Sequence, residues 1–122
     1  MTIKTLLIVD DSTTARLLIK AMFEELHPEW NYLQAASANE ALEVLRQSAA
    51  DYFSIDYNMP GKNGVELIQE IRKTHPDKPI VLLTANIQPQ VEEKAKHLNS
   101  ICIYKPLTDA AIKQAEEYFT HG

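Results

Sequence analysis

Apolar and polar positions along this chain alternate between two periods. Residues 3–9, from Ile3 to Val9, are nearly all apolar and rich in branched side chains, which predicts a strand covered on both faces. The period then changes. Ala15, Leu18, Ile19, Met22, Phe23 and Leu26 recur at i, i+3, i+4 and i+7, the inward face of a helix over 12–26, and Pro28 stops it. Residues 30–36 read as a weaker second strand. Ser37 and Glu40 form a capping box that opens a helix to about Ala49. A short third strand covers 51–55, and residues 58–63, with Pro60 and Gly61, form a turn. Asn63 then caps a helix whose face is Leu67, Ile68 and Ile71. Residues 79–83 predict a fourth strand, and Pro89 opens a helix with Val91, Ala95 and Leu98 inward. A fifth strand covers 100–104, and Thr108 caps a last helix with Ile112, Ala115 and Phe119 inward. Five strand-then-helix units predict an α/β fold, a five-stranded parallel sheet with helices on both faces.

Composition narrows the function. The 122 residues are 45% hydrophobic and 24% charged, the balance of one globular domain. A chain of this length buries roughly 65% of its unfolded surface, enough for a core without staples. The five units use nearly all of it, so a single domain over 1–122 with no output domain is expected. A net charge of -5 without a basic tract argues against nucleic acid or an anionic membrane as partner. The longest apolar runs, Leu6-Leu7-Ile8-Val9 and Ile80-Val81-Leu82-Leu83, are too short to span a membrane. Cys102 is the one cysteine, which excludes an intrachain disulfide and fits a reducing, cytoplasmic setting. His27, His75, His97 and His121 have no metal-ligand spacing and read as surface residues.

Ligands of open α/β sheets bind at the carboxyl ends of the strands. Strand one ends in Asp10-Asp11, strand three in Asp56, strand four in Thr84-Ala85 and strand five in Lys105-Pro106. Taken singly, each aspartate reads as a cap or turn residue, Thr84 as an ordinary strand end and Lys105 as a solvated charge. Jointly they read differently. Three carboxylates at one sheet edge repel one another unless a cation sits among them, and oxygen ligands favour Mg²⁺. A carboxylate beside Mg²⁺ can attack phosphorus, while an ammonium, a hydroxyl and a backbone N–H neutralise the phosphoryl oxygens.

These motifs together resemble the receiver domain of two-component response regulators. Val9-Asp10-Asp11-Ser12 resembles the family's acid pair, and Asp56-Tyr57-Asn58-Met59-Pro60-Gly61-Lys62-Asn63-Gly64 its phosphoacceptor loop. Thr84-Ala85 resembles its switch hydroxyl with a small residue after it, and Lys105-Pro106 its lysine and cis-bonded proline. The resemblance covers essentially the whole chain. It implies a flavodoxin-like sheet of order 2-1-3-4-5 with five helices. It implies that Asp56 takes phosphate from a sensor histidine kinase or a histidine phosphotransfer protein. Mg²⁺ is then held by Asp11, Asp56 and the carbonyl of Asn58, with Asp10 acting through water. Thr84, Ala85 and Lys105 contact the phosphoryl group, and Asn58 and Asn86 stand where the family tunes dephosphorylation. Such a protein is not an enzyme beyond its own phosphorylation and dephosphorylation. It signals by binding an effector, in chemotaxis a flagellar switch or a phosphatase.

Two features depart from the family pattern. Cys102 stands where an aromatic is usual, three residues before the lysine, and His97-Leu98-Asn99-Ser100 replaces the usual Gly-Ala before strand five. Four other readings compete with this one. A phosphorelay intermediate uses the same residues. An aspartate-nucleophile phosphatase needs a second acid two residues after the first, where Ser12 stands. A flavodoxin-like nucleotide binder needs a loop after strand one free of Asp10 and Asp11. A pseudo-receiver without phosphorylation has only Cys102 in its favour.

Overall fold

The computed structural model describes residues 3–85 and 88–121. Five strands alternate with five helices: β1 (Thr5–Val9), α1 (Thr13–Leu26), β2 (Asn31–Ala35), α2 (Ala38–Gln47), β3 (Tyr52–Asp56), α3 (Gly64–Thr74), β4 (Ile80–Thr84), α4 (Pro89–His97), β5 (Ile101–Tyr104) and α5 (Asp109–His121). The strands form one parallel sheet in the order β2-β1-β3-β4-β5. The chain moves outward from β1 to β2, then reverses through β3 to the other edge. That reversal places the topological switch point between β1 and β3, where ligands of this architecture bind.

Two apolar layers cover the sheet. On one face Ala38 and Ala41 of α2, Leu67, Ile68 and Ile71 of α3, and Val91 and Ala95 of α4 pack against Leu7, Val9, Phe53, Ile55 and Leu82. On the other, Ile19 and Phe23 of α1 and Ile112, Ala115 and Phe119 of α5 cover Leu6, Ile8, Val81 and Leu83. Buried on both sides, β3 and β4 form the rigid centre of the sheet. The helix starts follow local chemistry. Ser12, Ser37 and Asn63 each accept a backbone N–H from the first turn, and Asn63 with Glu66 completes a reciprocal capping box.

The structure narrows the face predicted for α1. Among its apolar residues only Ile19 and Phe23 are buried, while Leu18 and Leu26 are nearly half exposed and Leu17 slightly more so. Leu18 lies about 100° around the helix from Ile19 and turns away from the sheet. Leu26 sits in the last turn. The unusual α4–β5 connection is explained by Asn99, which takes a left-handed φ of 56° in place of a glycine. Arg72 of α3 donates to the carbonyls of Leu98 and Asn99 and holds this turn.

Candidate functional site

The strand register assembles the site. Val9 of β1 faces Ile55 of β3, so the next residues, Asp10 and Asp56, emerge side by side at the carboxyl edge. Asp56 pairs with Leu83, which puts Thr84 just beyond it, and Thr84 pairs with Tyr104 ahead of Lys105. Backbone bonds from Tyr57 N to Leu83 O at 2.8 Å and from Lys105 N to Thr84 O at 2.9 Å extend the ladder past the strand ends. Asp10, Asp56 and Thr84 are buried, whereas Asp11 is exposed. One carboxylate oxygen from each of Asp10, Asp11 and Asp56 lies within 4.8 Å of the others, a cluster able to hold a metal ion.

Two of the acids have their own local support. Ser12, not an aspartate, caps α1 by accepting the Ala15 N–H at 3.2 Å. Asp10 instead accepts the Ser12 N–H on Oδ1 at 2.9 Å. That leaves Asp10 Oδ2 buried without a hydrogen-bond partner. Lys105 reaches across the edge, its Nζ 3.0 Å from Asp56 Oδ1 and 3.6 Å from Asp10 Oδ2. The Lys105–Pro106 peptide bond is cis. A buried carboxylate oxygen with no hydrogen bond, in an all-oxygen cluster of three acids and one ammonium, fits a hard divalent cation.

The electrostatics follow from burial and from the crowding of acids. Burial pushes the Asp56 carboxyl above its ordinary value, Lys105 opposes this, and Asp10 and Asp11 add to it. Burial works against the Lys105 ammonium, but its bonds to Asp56 and its attraction to Asp10 outweigh that and raise it. The site therefore holds more negative charge than one ammonium neutralises.

The β3–α3 loop completes the edge. Asn58 is exposed and Met59 is buried. Gly61 takes a φ of 77°, a conformation that favours glycine. Ala85 is exposed just after β4. Asn86 lies outside the described residues. Cys102 is half-buried on the α2–α4 face of the sheet, and burial pushes its thiol up, towards the unreactive form. Tyr104, two residues on and on the same side of β5, donates its O–H to Glu92 of α4 at 2.6 Å.

Three features escaped the sequence reading. Arg16 donates to the Asp10 carbonyl, and its only sequence signal is a cation near a helix start, against the preference of the helix dipole. Gly64, the last residue of the loop motif, lets α3 approach the Asp56 backbone, a physical reason that the motif itself does not give. His27 and His75 are half-buried, not surface residues. His27 stacks on Trp30, and His75 meets the Phe53 ring edge-on.

The family model of the response regulator receiver domain matches residues 6–117. The chain is 33% identical over 112 residues to the chemotaxis protein CheY-3 of Vibrio cholerae, covering 89% of this chain and 85% of that protein. It is 34% identical over 110 residues to the sensor protein EvgS of Escherichia coli, which covers 89% of this chain but only 9% of EvgS. The response regulator TrrA of Thermotoga maritima, solved with Mg²⁺ and a beryllium fluoride, superposes with a TM-score of 0.82 at 27% identity, covering 95% of this chain and 99% of that one. With the fold, the acid cluster and Lys105 in place, the chain belongs to the response regulator receiver family. A receiver is a signalling module, not an enzyme that turns over an external substrate. No helix among the described residues is long and apolar enough to cross a membrane.

Proposed function

We propose that this receiver accepts a phosphoryl group on Asp56 and signals by changing its affinity for a protein partner. The observation that carries this reading is the bridge of Lys105 between Asp56 and Asp10, beside a buried carboxylate oxygen left without a hydrogen bond. In the reaction, an Asp56 carboxylate oxygen attacks phosphorus of a phosphohistidine. The P–N bond breaks as the P–O bond forms, and the histidine leaves with the bonding pair and takes up a proton. Lys105 moves from the carboxylate to a phosphoryl oxygen, and Thr84 with the Ala85 N–H meets another. Asp11, Asp56 and the Asn58 carbonyl would hold Mg²⁺, with Asp10 through water. When bound, Mg²⁺ supplies the charge that makes attack by one anion on another feasible. Asn58 and Asn86, neutral amides, set the approach of hydrolytic water without acting as a base.

The phosphodonor is a sensor histidine kinase or a histidine phosphotransfer protein. It docks beside the site on α1, where Leu17 and Leu18 are exposed. The likeness to CheY-3 over 85% of that protein supports a chemotaxis output, with an effector such as a flagellar switch or a phosphatase, in the cytoplasm. The match inside a sensor protein supports a second reading, a relay that hands the phosphoryl group on to a histidine phosphotransfer protein. A pull-down from cell extract with and without beryllofluoride and Mg²⁺ tests the switch. An effector retained selectively in the beryllofluoride state is expected. Equal retention in both states contradicts phosphorylation-dependent binding.

A further inference from the structure

Among the described residues, Arg16 is a cation beside the acid cluster that forms an ion pair with none of its carboxylates. Asp10 and Asp56 take Lys105 as their cation. The Arg16 guanidinium spends its donors on neutral oxygens: Nη1 on the Asp10 carbonyl at 2.5 Å, Nε on Gln34 Oε1 at 3.1 Å and Nη2 on Thr13 Oγ1 at 3.2 Å. Gln34 belongs to β2, and its neighbour Ala35 accepts the Asp10 N–H at 3.1 Å. Both backbone groups of Asp10 are therefore tied to β2, one directly and the other through Arg16 and Gln34.

The Asp10 carbonyl is half of the peptide group that joins Asp10 to Asp11. Its direction sets where the Asp11 side chain leaves the backbone. Asp11 is exposed, and no hydrogen bond among the described residues holds its carboxylate, yet one of its oxygens stands within 4.8 Å of oxygens of Asp10 and Asp56. Only the backbone path keeps it there. A planar guanidinium with donors in three fixed directions suits this task, and a lysine ammonium does not.

We propose that Arg16 is a positioning residue for the cation site, holding the Asp10–Asp11 peptide so that the Asp11 carboxylate faces the oxygens of Asp10 and Asp56. This rests on the reading of the cluster as a Mg²⁺ site. It also gives a sign opposite to that of simple charge. Removing a cation beside a cation site strengthens Mg²⁺ binding if Coulomb repulsion is all that Arg16 contributes. Removing a positioning residue weakens it.

Mg²⁺ titration of the full chain by isothermal calorimetry separates the two, with the folded state of each variant checked by thermal unfolding in chelator. Arg16→Gln is expected to weaken Mg²⁺ binding about 10-fold, the low end of the cost of removing a group that supports metal ligands. Arg16→Lys keeps the charge and is expected to weaken it several-fold as well. Gln34→Ala, which loosens the guanidinium without removing it, should give a smaller loss of the same sign. Should Arg16→Gln fail to fold, Arg16→Lys and Gln34→Ala decide the question. Unchanged or tighter binding in the folded variants, with Mg²⁺ bound normally by the parent chain, overturns the role of Arg16 alone. No Mg²⁺ binding by the parent chain overturns the cation-site reading and this role with it.

Discussion

A Cβ placed on Gly64 would lie 2.6 Å from the carbonyl oxygen of Asp56 and 2.9 Å from Tyr57 Cα. The start of α3 thus sits directly on the backbone of Asp56 and Tyr57, and the Gly64 N–H donates to the Tyr57 carbonyl at 3.0 Å. Gly64→Ala must push the two apart, a form of overpacking that costs about 1–3 kcal/mol. Gly61→Ala meets no atom within 4 Å but must keep its φ of 77°. Left-handed backbone costs a side-chain-bearing residue about 1–2 kcal/mol. Denaturant unfolding should show both variants destabilised. Labelling of Asp56 by a small phosphodonor should fall markedly only in Gly64→Ala, since Gly61 leaves the Asp56 backbone untouched.

The site is destabilised by its own charge. The Asp56 carboxyl binds a proton more tightly in the fold than in the unfolded chain, because burial first, and then Asp10 and Asp11, disfavour its anion more than Lys105 favours it. Its contribution to stability is therefore best at low pH and is lost as pH rises from the ordinary value of 3.8 through the raised folded value. Above that folded value the penalty is fully present. Asp56→Asn should raise the thermal midpoint in chelator at pH 7, and this gain should shrink as the pH falls towards 4. A midpoint below that of the parent chain at pH 7 contradicts this account.

His27 gives a second pH dependence, away from the acid cluster. Its imidazole stacks on Trp30 with centroids 3.9 Å apart and lies 2.7 Å from Glu116 and 3.0 Å from Glu29. Burial lowers its pKa, but the bonds and charges of the two glutamates together raise it above the ordinary 6.5. The stability this adds is full below pH 6.5 and is lost as pH rises through the folded value. Trp30 is the one tryptophan, and a stacked imidazolium quenches indole emission. Fluorescence should rise with pH through a midpoint above 6.5, and Glu116→Gln should lower that midpoint.

Tyr104 ties the edge strand to α4. Its hydrogen bond to Glu92, with burial and the glutamate's charge, holds the phenol pushed up to about 12. Tyr104→Phe removes the bond and leaves the ring. Amide exchange in α4 should quicken in this variant while β3 and β4 keep their protection. Unchanged exchange in α4 means that apolar packing of Val91 and Ala95 alone holds the helix.

Much of this was legible in the sequence for a physical reason. Strand and helix periods do not depend on distant residues, so all five βα units were found, with boundaries shifted by a residue or two. The convergence of Asp10, Asp56, Thr84 and Lys105 then follows from a parallel sheet, which brings every strand's carboxyl end to one edge. The features that were not legible depend on loop paths or on the footprint of one element upon another. Gly64 matters because of the route between Asp56 and α3. Leu18 and Leu26 lie on an apolar stripe wider than the surface that covers it. His27 is half-buried because α5 brings Glu116 to it across 89 residues of sequence.

The central claim is that Asp56 is the phosphoacceptor and that the acids around it require a divalent cation. Intact-mass measurement after incubation with acetyl phosphate tests it directly. The parent chain should gain one phosphoryl group in Mg²⁺ and none in chelator, and Asp56→Asn should gain none in either. Persistent labelling of Asp56→Asn, or equal labelling of the parent chain in chelator, would contradict the account.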